Sequence, residues 1–152
     1  MKNIFITEVL SQEDLTIFSA EISLKELVEY IQEHTEVQQV YLVDDKGQLE
    51  GVLANRQILE FLSPHYFLID RSHMGSLRGI LETVRAADLL EENCPYITLD
   101  HCLPETLEKL LISGRNALPV LNDDREPIGE VALNALLGAL SINKKETHYA
   151  IS

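Results

Sequence analysis

One segment of this chain occurs twice. Val43-Asp44-Asp45-Lys46-Gly47-Gln48-Leu49-Glu50-Gly51 is answered by Leu121-Asn122-Asp123-Asp124-Arg125-Glu126-Pro127-Ile128-Gly129, and 78 positions separate Gly51 from Gly129. The match continues upstream and downstream, so two copies of one unit fill nearly all of the 152 residues. A repeat of this kind decides architecture before any single residue does. A unit of about 60 residues is marginal alone, so two units are expected to stack their sheets around one shared core.

The element order within each copy follows from pattern. Leu15-Thr16-Ile17-Phe18 is a β-branched and aromatic run that reads as a strand. Ser23 with Glu26 three positions later forms a capping box ahead of Leu24, Leu27, Val28 and Ile31, the apolar stripe of a helix. Val40 to Val43 and Leu49 to Leu53 make a hairpin whose turn, Asp44-Asp45-Lys46-Gly47, lets Gly47 take positive φ. Asn55 starts a second helix with Ile58, Leu59 and Leu62 facing inward, and Ser63-Pro64 is expected to end it.

The second copy repeats this order. Tyr96 to Leu99 is the strand, and Leu103, Leu107, Leu110 and Leu111 give the helix stripe. Pro104 sits in its first turn and Gly114 closes it. Leu118-Pro119-Val120-Leu121 reads as an edge strand or a strand start because of its proline. Ile128 to Ala132 returns, and Leu133, Leu136, Leu137 and Leu140 mark the last helix. The fold class is α+β, two β-α-β-β-α repeats packed sheet to sheet with pseudo-twofold symmetry. The expected boundaries are 1–62 for the first repeat, 63–82 for a linker with a short helix at its end, 83–141 for the second repeat and 142–152 for a polar tail. Ile4 to Leu10 and Thr83 to Leu90 precede the two units, each expected to pack across the other unit.

Bulk chemistry narrows the function. Twelve basic against 25 acidic residues leave a formal charge of −13, which disfavours sequence-independent nucleic-acid binding and anionic membrane surfaces. No run approaches the roughly 18 apolar residues of a membrane helix. The start, Met1-Lys2-Asn3-Ile4, lacks a signal-peptide core of about 7–15 apolar residues. A cytoplasmic location is the expectation. Cys94 and Cys102 are not a CxxC pair and read as small half-buried side chains.

The doubled hairpin and the order around it resemble the CBS domain, the repeat first named for cystathionine β-synthase, over roughly residues 4 to 141. Val43 to Gly51 follows the family's Val-Asp, acidic turn and apolar-Gly pattern, and Leu118 to Asn122 is similar to its Leu-Pro-Val-Val-Asp. The resemblance implies a non-catalytic regulatory or sensor module. It implies AMP, ADP or ATP as the class of ligand, bound in the cleft between the repeats, with a partner protein that the module modulates and a homodimer formed through helices. The alternative is a ligand-free dimerisation or interaction scaffold whose pocket has degenerated.

The nucleotide-binding version of the family reads Gly-x-x-Thr/Ser-x-x-Asp after the hairpin, its hydroxyl touching phosphate and its carboxylate accepting from ribose. Here the first copy places Ala54 and Gln57 at those positions, and the second places Ala132 and Ala135. Gln57 can still accept one ribose hydrogen bond through its amide oxygen. Arg56, beside a helix N-terminus, faces phosphate or is a solvated helix-start residue. Phe18, Asn55, Arg56 and Gln57 are therefore the better half-site. Arg115 and Asn116, in the turn before Leu118, are a phosphate contact or a solvated loop, and Asn134 reads as a helix cap.

Other chemistries lack their constellations. His34, His65, His73, His101 and His148 make no HExxH or other close metal pair. The acidic pairs Asp44-Asp45, Glu91-Glu92 and Asp123-Asp124 lack EF-hand spacing. No GxSxG elbow and no Gly-Lys-Ser/Thr phosphate loop occurs. No catalytic or metal residue is assigned.

Overall fold

The protein is described from a computed structural model over residues 10–11, 15–68, 74–91 and 93–142. The chain divides into two compact units. The first is Asp14–Cys94 with Asp124–Pro127, and the second is Met1–Glu13, Pro95–Asp123 and Ile128–Ser152. The architecture is α+β.

In the first unit, β2 (Ile17–Ser19) runs parallel to β3 (Gln39–Val43), and β3 pairs antiparallel with β4 (Leu49–Ala54). Between β2 and β3 lies α1 (Leu24–Glu33). Ser23 caps it by accepting the Glu26 N–H at 3.1 Å, which satisfies one of the donors every helix start leaves open. Leu24 and Leu27 are fully buried and Val28 and Ile31 pack beside them, so the predicted stripe is the buried face. The core joins these to Ala20, Val40, Leu42, Leu53, Ile58 and Ala86.

The turn between β3 and β4 is made by one side chain. Asp44 Oδ1 accepts the N–H groups of Lys46 and Gln48, both at 2.9 Å, and Gly47 takes φ +82°. After the hairpin, α2 (Asn55–Leu68) runs on through Pro64. The expected stop at Ser63-Pro64 is thus displaced. Proline removes one donor and disfavours the helical region for its predecessor, yet here it does not interrupt the helix. Ile58 is buried, whereas Leu59 is 66% exposed and Phe61 packs inward instead.

The linker helix is α3 (Met74–Thr83), followed by a 3₁₀ turn at Ala86–Leu89. The stretch between them bonds along residues 20–24: Leu24 N–H donates to Val84 C=O at 2.8 Å and Ala86 N–H to Ile22 C=O at 2.9 Å. Val84, Ala87, Leu89 and Leu90 pack on the first core. This segment precedes the second repeat in sequence but belongs to the first unit, as expected.

In the second unit the strand order is β1-β7-β6-β5. Here β1 is Leu10–Ser11, β5 Ile97–Thr98, β6 Ala117–Leu121 and β7 Pro127–Ala132. β1 pairs antiparallel with β7, so the segment ahead of the first repeat joins the second unit's sheet. The rest of Ile4 to Leu10 lies outside the described residues. The core is Ile97, Leu110, Leu118, Val120, Val131 and Leu136, contributed by the sheet, by α4 (Leu103–Ser113) and by α5 (Leu133–Ile142).

Three expectations are corrected in this unit. Leu111 is 74% exposed, and the buried positions of α4 are Leu110 and Thr106; the Thr106 hydroxyl donates to Cys102 C=O at 3.0 Å and so enters the core without an unpaired donor. Leu137 is likewise exposed, at 57%, beside buried Leu136. Pro119 lies in β6, an interior strand buried along its whole length. It precedes Val120, the first β6 residue paired with β5, so its missing N–H removes no bond from that ladder. Gly114 closes α4 in the left-handed conformation, at φ +67°, as expected. The linker's middle (69–73) and most of the predicted polar tail (143–152) lie outside the described residues.

Candidate functional site

The half-site favoured by sequence lies where β4 passes into α2. Asn55 is the first helical residue, and its N–H donates to Gln38 C=O at 3.0 Å. Its side-chain Nδ2 donates to Val37 C=O at 2.8 Å, which ties the helix start to the loop before β3. That bond fixes the amide's orientation, because a carbonyl needs a donor. Asn55 Oδ1 is then left buried with no hydrogen-bond partner among the described residues. An unpartnered buried acceptor costs about 1–3 kcal/mol.

Gln57 turns back on the same junction. Its Oε1 accepts the Ala54 N–H at 2.8 Å, the returning half of a capping box. The amide oxygen that sequence reasoning reserved for ribose is thus engaged in ending β4 and starting α2. Arg56 points into solvent. Its Nε lies 3.2 Å from Glu60 Oε1, one turn on, with side chains 88% and 66% exposed, a surface pair of little energetic weight.

Phe18 is separate from these three. It shares its row of the sheet with Leu42, which pairs Gly51, while Ala54 pairs Gln39. Three residues along β4 place Phe18 roughly 10 Å from the α2 start along the strand direction. Its ring packs edge-on against Tyr30 at 4.9 Å, and Tyr30 stacks on His34 at 3.9 Å. Phe18 also packs on the first core, which is a structural role.

Arg115 and Asn116 lie in the second unit. Arg115 is half-buried and its N–H donates to Ser113 Oγ at 3.1 Å. Asn116 contributes its carbonyl, which accepts Leu133 N–H at 2.8 Å. This is the Asn55–Gln38 bond reproduced 78 positions later, so the second helix start is built on the same backbone plan. Asn134 is the second residue of α5 and exposed, not a cap. Ala132 and Ala135 offer no side-chain polar atom there.

One polar cluster was absent from the sequence reading. In the second unit His101 Nδ1 accepts the Thr98 N–H at 3.0 Å, and the Thr98 hydroxyl donates to Asp100 Oδ1. The hydroxyl, then the Asp100 backbone N–H and the His101 ring, hold the Asp100 carboxyl below the usual range. A Thr-x-Asp-His run just ahead of a helix is the signal that marks such a turn. Among the described residues no group of three or more His, Cys, Asp or Glu side chains is arranged to hold a metal. None of their helices is long and apolar enough to cross a membrane.

Residues 6–64 match the family model of the CBS domain. An uncharacterized 33.4 kDa protein in the ribosomal RNA operon of Thermofilum pendens is 27% identical over 117 residues, 76% of this chain and 38% of that protein. A methylated protein of Methanocaldococcus jannaschii is 23% identical over 124 residues, 80% of this chain and 62% of that one. This chain therefore spans less than two thirds of either relative.

Among solved structures, the CBS domain pair of protein MJ0100 in complex with 5′-methylthioadenosine and S-adenosyl-L-methionine superposes with TM-score 0.66 at 17% identity, covering 90% of this chain and 99% of that one. CBSX2 in complex with AMP gives 0.70 at 18% identity, over 93% and 98%. The cytosolic domain of the Mg²⁺ channel MgtE in complex with ATP gives 0.67 at 18%, over 89% and 48%.

Proposed function

We propose that this chain, a CBS domain over residues 6–64 with the fold of a CBS domain pair, is a non-catalytic regulatory module that binds an adenosine-type ligand. The site proposed is the first-unit junction of Asn55, Gln57 and the Val37-Gln38 carbonyls. The observation that carries the reading is the buried Asn55 Oδ1 at that junction, which has no hydrogen-bond partner among the described residues, in a fold whose similar solved structures hold ATP, AMP, 5′-methylthioadenosine or S-adenosyl-L-methionine. A ligand amine or hydroxyl supplies the donor this oxygen lacks. Ligand binding shifts the module between two states by its differential affinity for them, and a partner protein in the cytoplasm reads the change.

Thermal denaturation of the full chain against adenosine, 5′-methylthioadenosine, S-adenosyl-L-methionine, AMP, ADP and ATP tests this. A ligand at about 100 times its Kd adds about 2.7 kcal/mol of stability and raises Tm. No rise with any of the six removes the ligand-binding reading.

One observation favours the second reading, an interaction scaffold. Leu111 and Ile112 on α4 are 74% and 78% exposed, and Leu137 on α5 is 57% exposed. Sedimentation of the wild type and of the Leu111→Ser/Ile112→Ser variant tests it. A homodimer that the variant dissociates supports a scaffold, and a monomer at all concentrations rejects self-association.

A further inference from the structure

We propose that the outer edge of β2 is a docking site for an extended, basic segment of a partner polypeptide, which adds to the first unit's sheet as a further strand. The proposal holds whether or not a nucleoside binds at the β4–α2 junction.

β2 is an edge strand of its sheet, whose order is β2-β3-β4. Tyr41 N–H donates to Thr16 C=O and Ala20 N–H donates to Val43 C=O, both at 2.8 Å. Thr16 and Ala20 therefore face β3. The backbone polar groups of successive strand residues point to alternate sides, so Ile17 and Ser19 turn theirs outward. Ser19 C=O accepts the Ile22 N–H at 3.0 Å. Ile17 N–H, Ile17 C=O and Ser19 N–H have no hydrogen-bond partner among the described residues. The Ile17 side chain is also 43% exposed.

The second repeat closes the same edge. Its helix cap, Cys102, stands 79 positions after Ser23, and in that register Tyr96 and Thr98 match Ile17 and Ser19. Lys109 Nζ donates to Tyr96 C=O, and Thr98 N–H donates to His101 Nδ1, both at 3.0 Å. The first repeat carries Tyr30 and Ile22 at the positions of Lys109 and His101. Ile22 has no side-chain acceptor, and the Tyr30 ring lies against Phe18 and His34. An uncovered edge is a template for another strand, and only one of these two edges is plugged by side chains.

The two faces of the edge set the chemistry of the occupant. Phe18 packs on Tyr30 of α1, so Phe18 points to the α1 face, and Ile17 and Ser19 point to the other. Glu26 and Glu33 lie one turn to either side of Tyr30. Both are exposed and neither has an ion pair among the described residues. Lys25, the one Lys or Arg of α1, pairs with Glu82 of α3 at 3.6 Å. An added strand therefore meets two carboxylates on one face and an isoleucine on the other. Alternating basic and apolar residues match both, while main-chain bonds to Ile17 and Ser19 supply the common affinity of strand addition.

The probe is acetyl-Lys-Val-Lys-Val-Lys-amide, with acetyl-Glu-Val-Glu-Val-Glu-amide as control, added to the full chain and followed by NMR amide exchange. At about ten times its Kd the Lys peptide should slow exchange at Ile17 and Ser19 about tenfold. The Glu peptide should leave both amides unchanged. Ile17→Pro removes one outward N–H and spares the ladder to β3, as proline does on an edge strand, and should abolish the protection at Ser19. Glu26→Lys/Glu33→Lys leaves the edge itself intact and should reverse the preference to the Glu peptide, which keeps the test decisive if proline disturbs β2.

No protection at either amide with about 10 mM Lys peptide, ten times a Kd of about 1 mM, overturns the proposal. Equal protection by both peptides does the same. Protection in the chain alone that grows with its own concentration assigns the edge to a second copy and overturns it too.

Discussion

Gly47 and Arg125 hold the same left-handed backbone, at φ +82° and +64°, at matching positions of the two hairpin turns. Glycine takes this conformation without a Cβ clash, whereas an L side chain is penalised by about 1–2 kcal/mol. Arg125 is kept there by its setting. Its carbonyl accepts the Leu49 N–H at 2.9 Å, and the neighbouring Asp124 carbonyl accepts from Gln48 Nε2 at 3.1 Å.

Arg125→Gly is therefore expected to stabilise the protein. Relief of the backbone strain exceeds the roughly 0.5–1 kcal/mol that glycine's freedom in the unfolded chain takes back. The urea midpoint should move up by the equivalent of about 0.5–1 kcal/mol with an unchanged m-value. A lower midpoint shows that the arginine side chain contributes more than its backbone costs.

Gly51 is close to the Leu90 side chain. A Cβ at Gly51 would meet Leu90 Cδ2 at 2.8 Å and Cδ1 at 3.0 Å, so Gly51→Ala forces that leucine to shift. The expected loss is about 1–3 kcal/mol. Leu90→Ala costs stability in the wild type but should cost less in the Gly51→Ala background. Additive losses in this double-mutant cycle reject the steric account.

Gln57 is expected to be a stability residue as well as a candidate ligand contact. Gln57→Ala leaves the Ala54 N–H without its acceptor and should lower stability by about 1 kcal/mol. Gln57→Glu retains an acceptor at the third helical position, where negative charge suits the helix dipole, and should restore or exceed wild-type stability. Chemical denaturation of the three proteins decides the point, and equal stability of all three refutes the cap.

Asp100 should titrate below the ordinary aspartate range, because the Thr98 hydroxyl bonds its charged form. A carboxyl whose folded pKa is depressed adds stability above its unfolded pKa and loses it as pH falls through the folded one. NMR titration of the Asp100 carboxyl should give a depressed midpoint in the wild type and a higher one in Thr98→Val. An identical midpoint in both proteins removes the threonine from the explanation. Thr98→Val should also lose any stability advantage only at pH values where Asp100 is ionised.

The doubled hairpin, the capping serine at Ser23 and the closing glycine at Gly114 were legible because each is a local event. A turn or cap is specified by residues within four positions of one another, and the structure shows all three. Helix faces were legible only in part. Adjacent helical residues lie about 100° apart, roughly the width of the buried stripe. In each of the pairs Ile58-Leu59, Leu110-Leu111 and Leu136-Leu137, one member is buried and the other exposed. Composition alone does not say which, because both members are apolar.

The candidate site was legible as a list of positions, not as an arrangement. Asn55 and Gln57 were singled out as ligand groups, and the fold first uses them to join β4 to α2, through Val37 C=O and Ala54 N–H. By itself the sequence determined that there are two copies of one small α+β unit and where their turns and caps fall. Tertiary structure alone decided that Pro119 lies inside a sheet, that α2 runs on through Pro64, and that Asn55 Oδ1 is buried with no hydrogen-bond partner among the described residues. The physical reason is range: short-range sterics and hydrogen bonds are written in neighbouring residues, whereas burial and polar pairing depend on which distant segments meet.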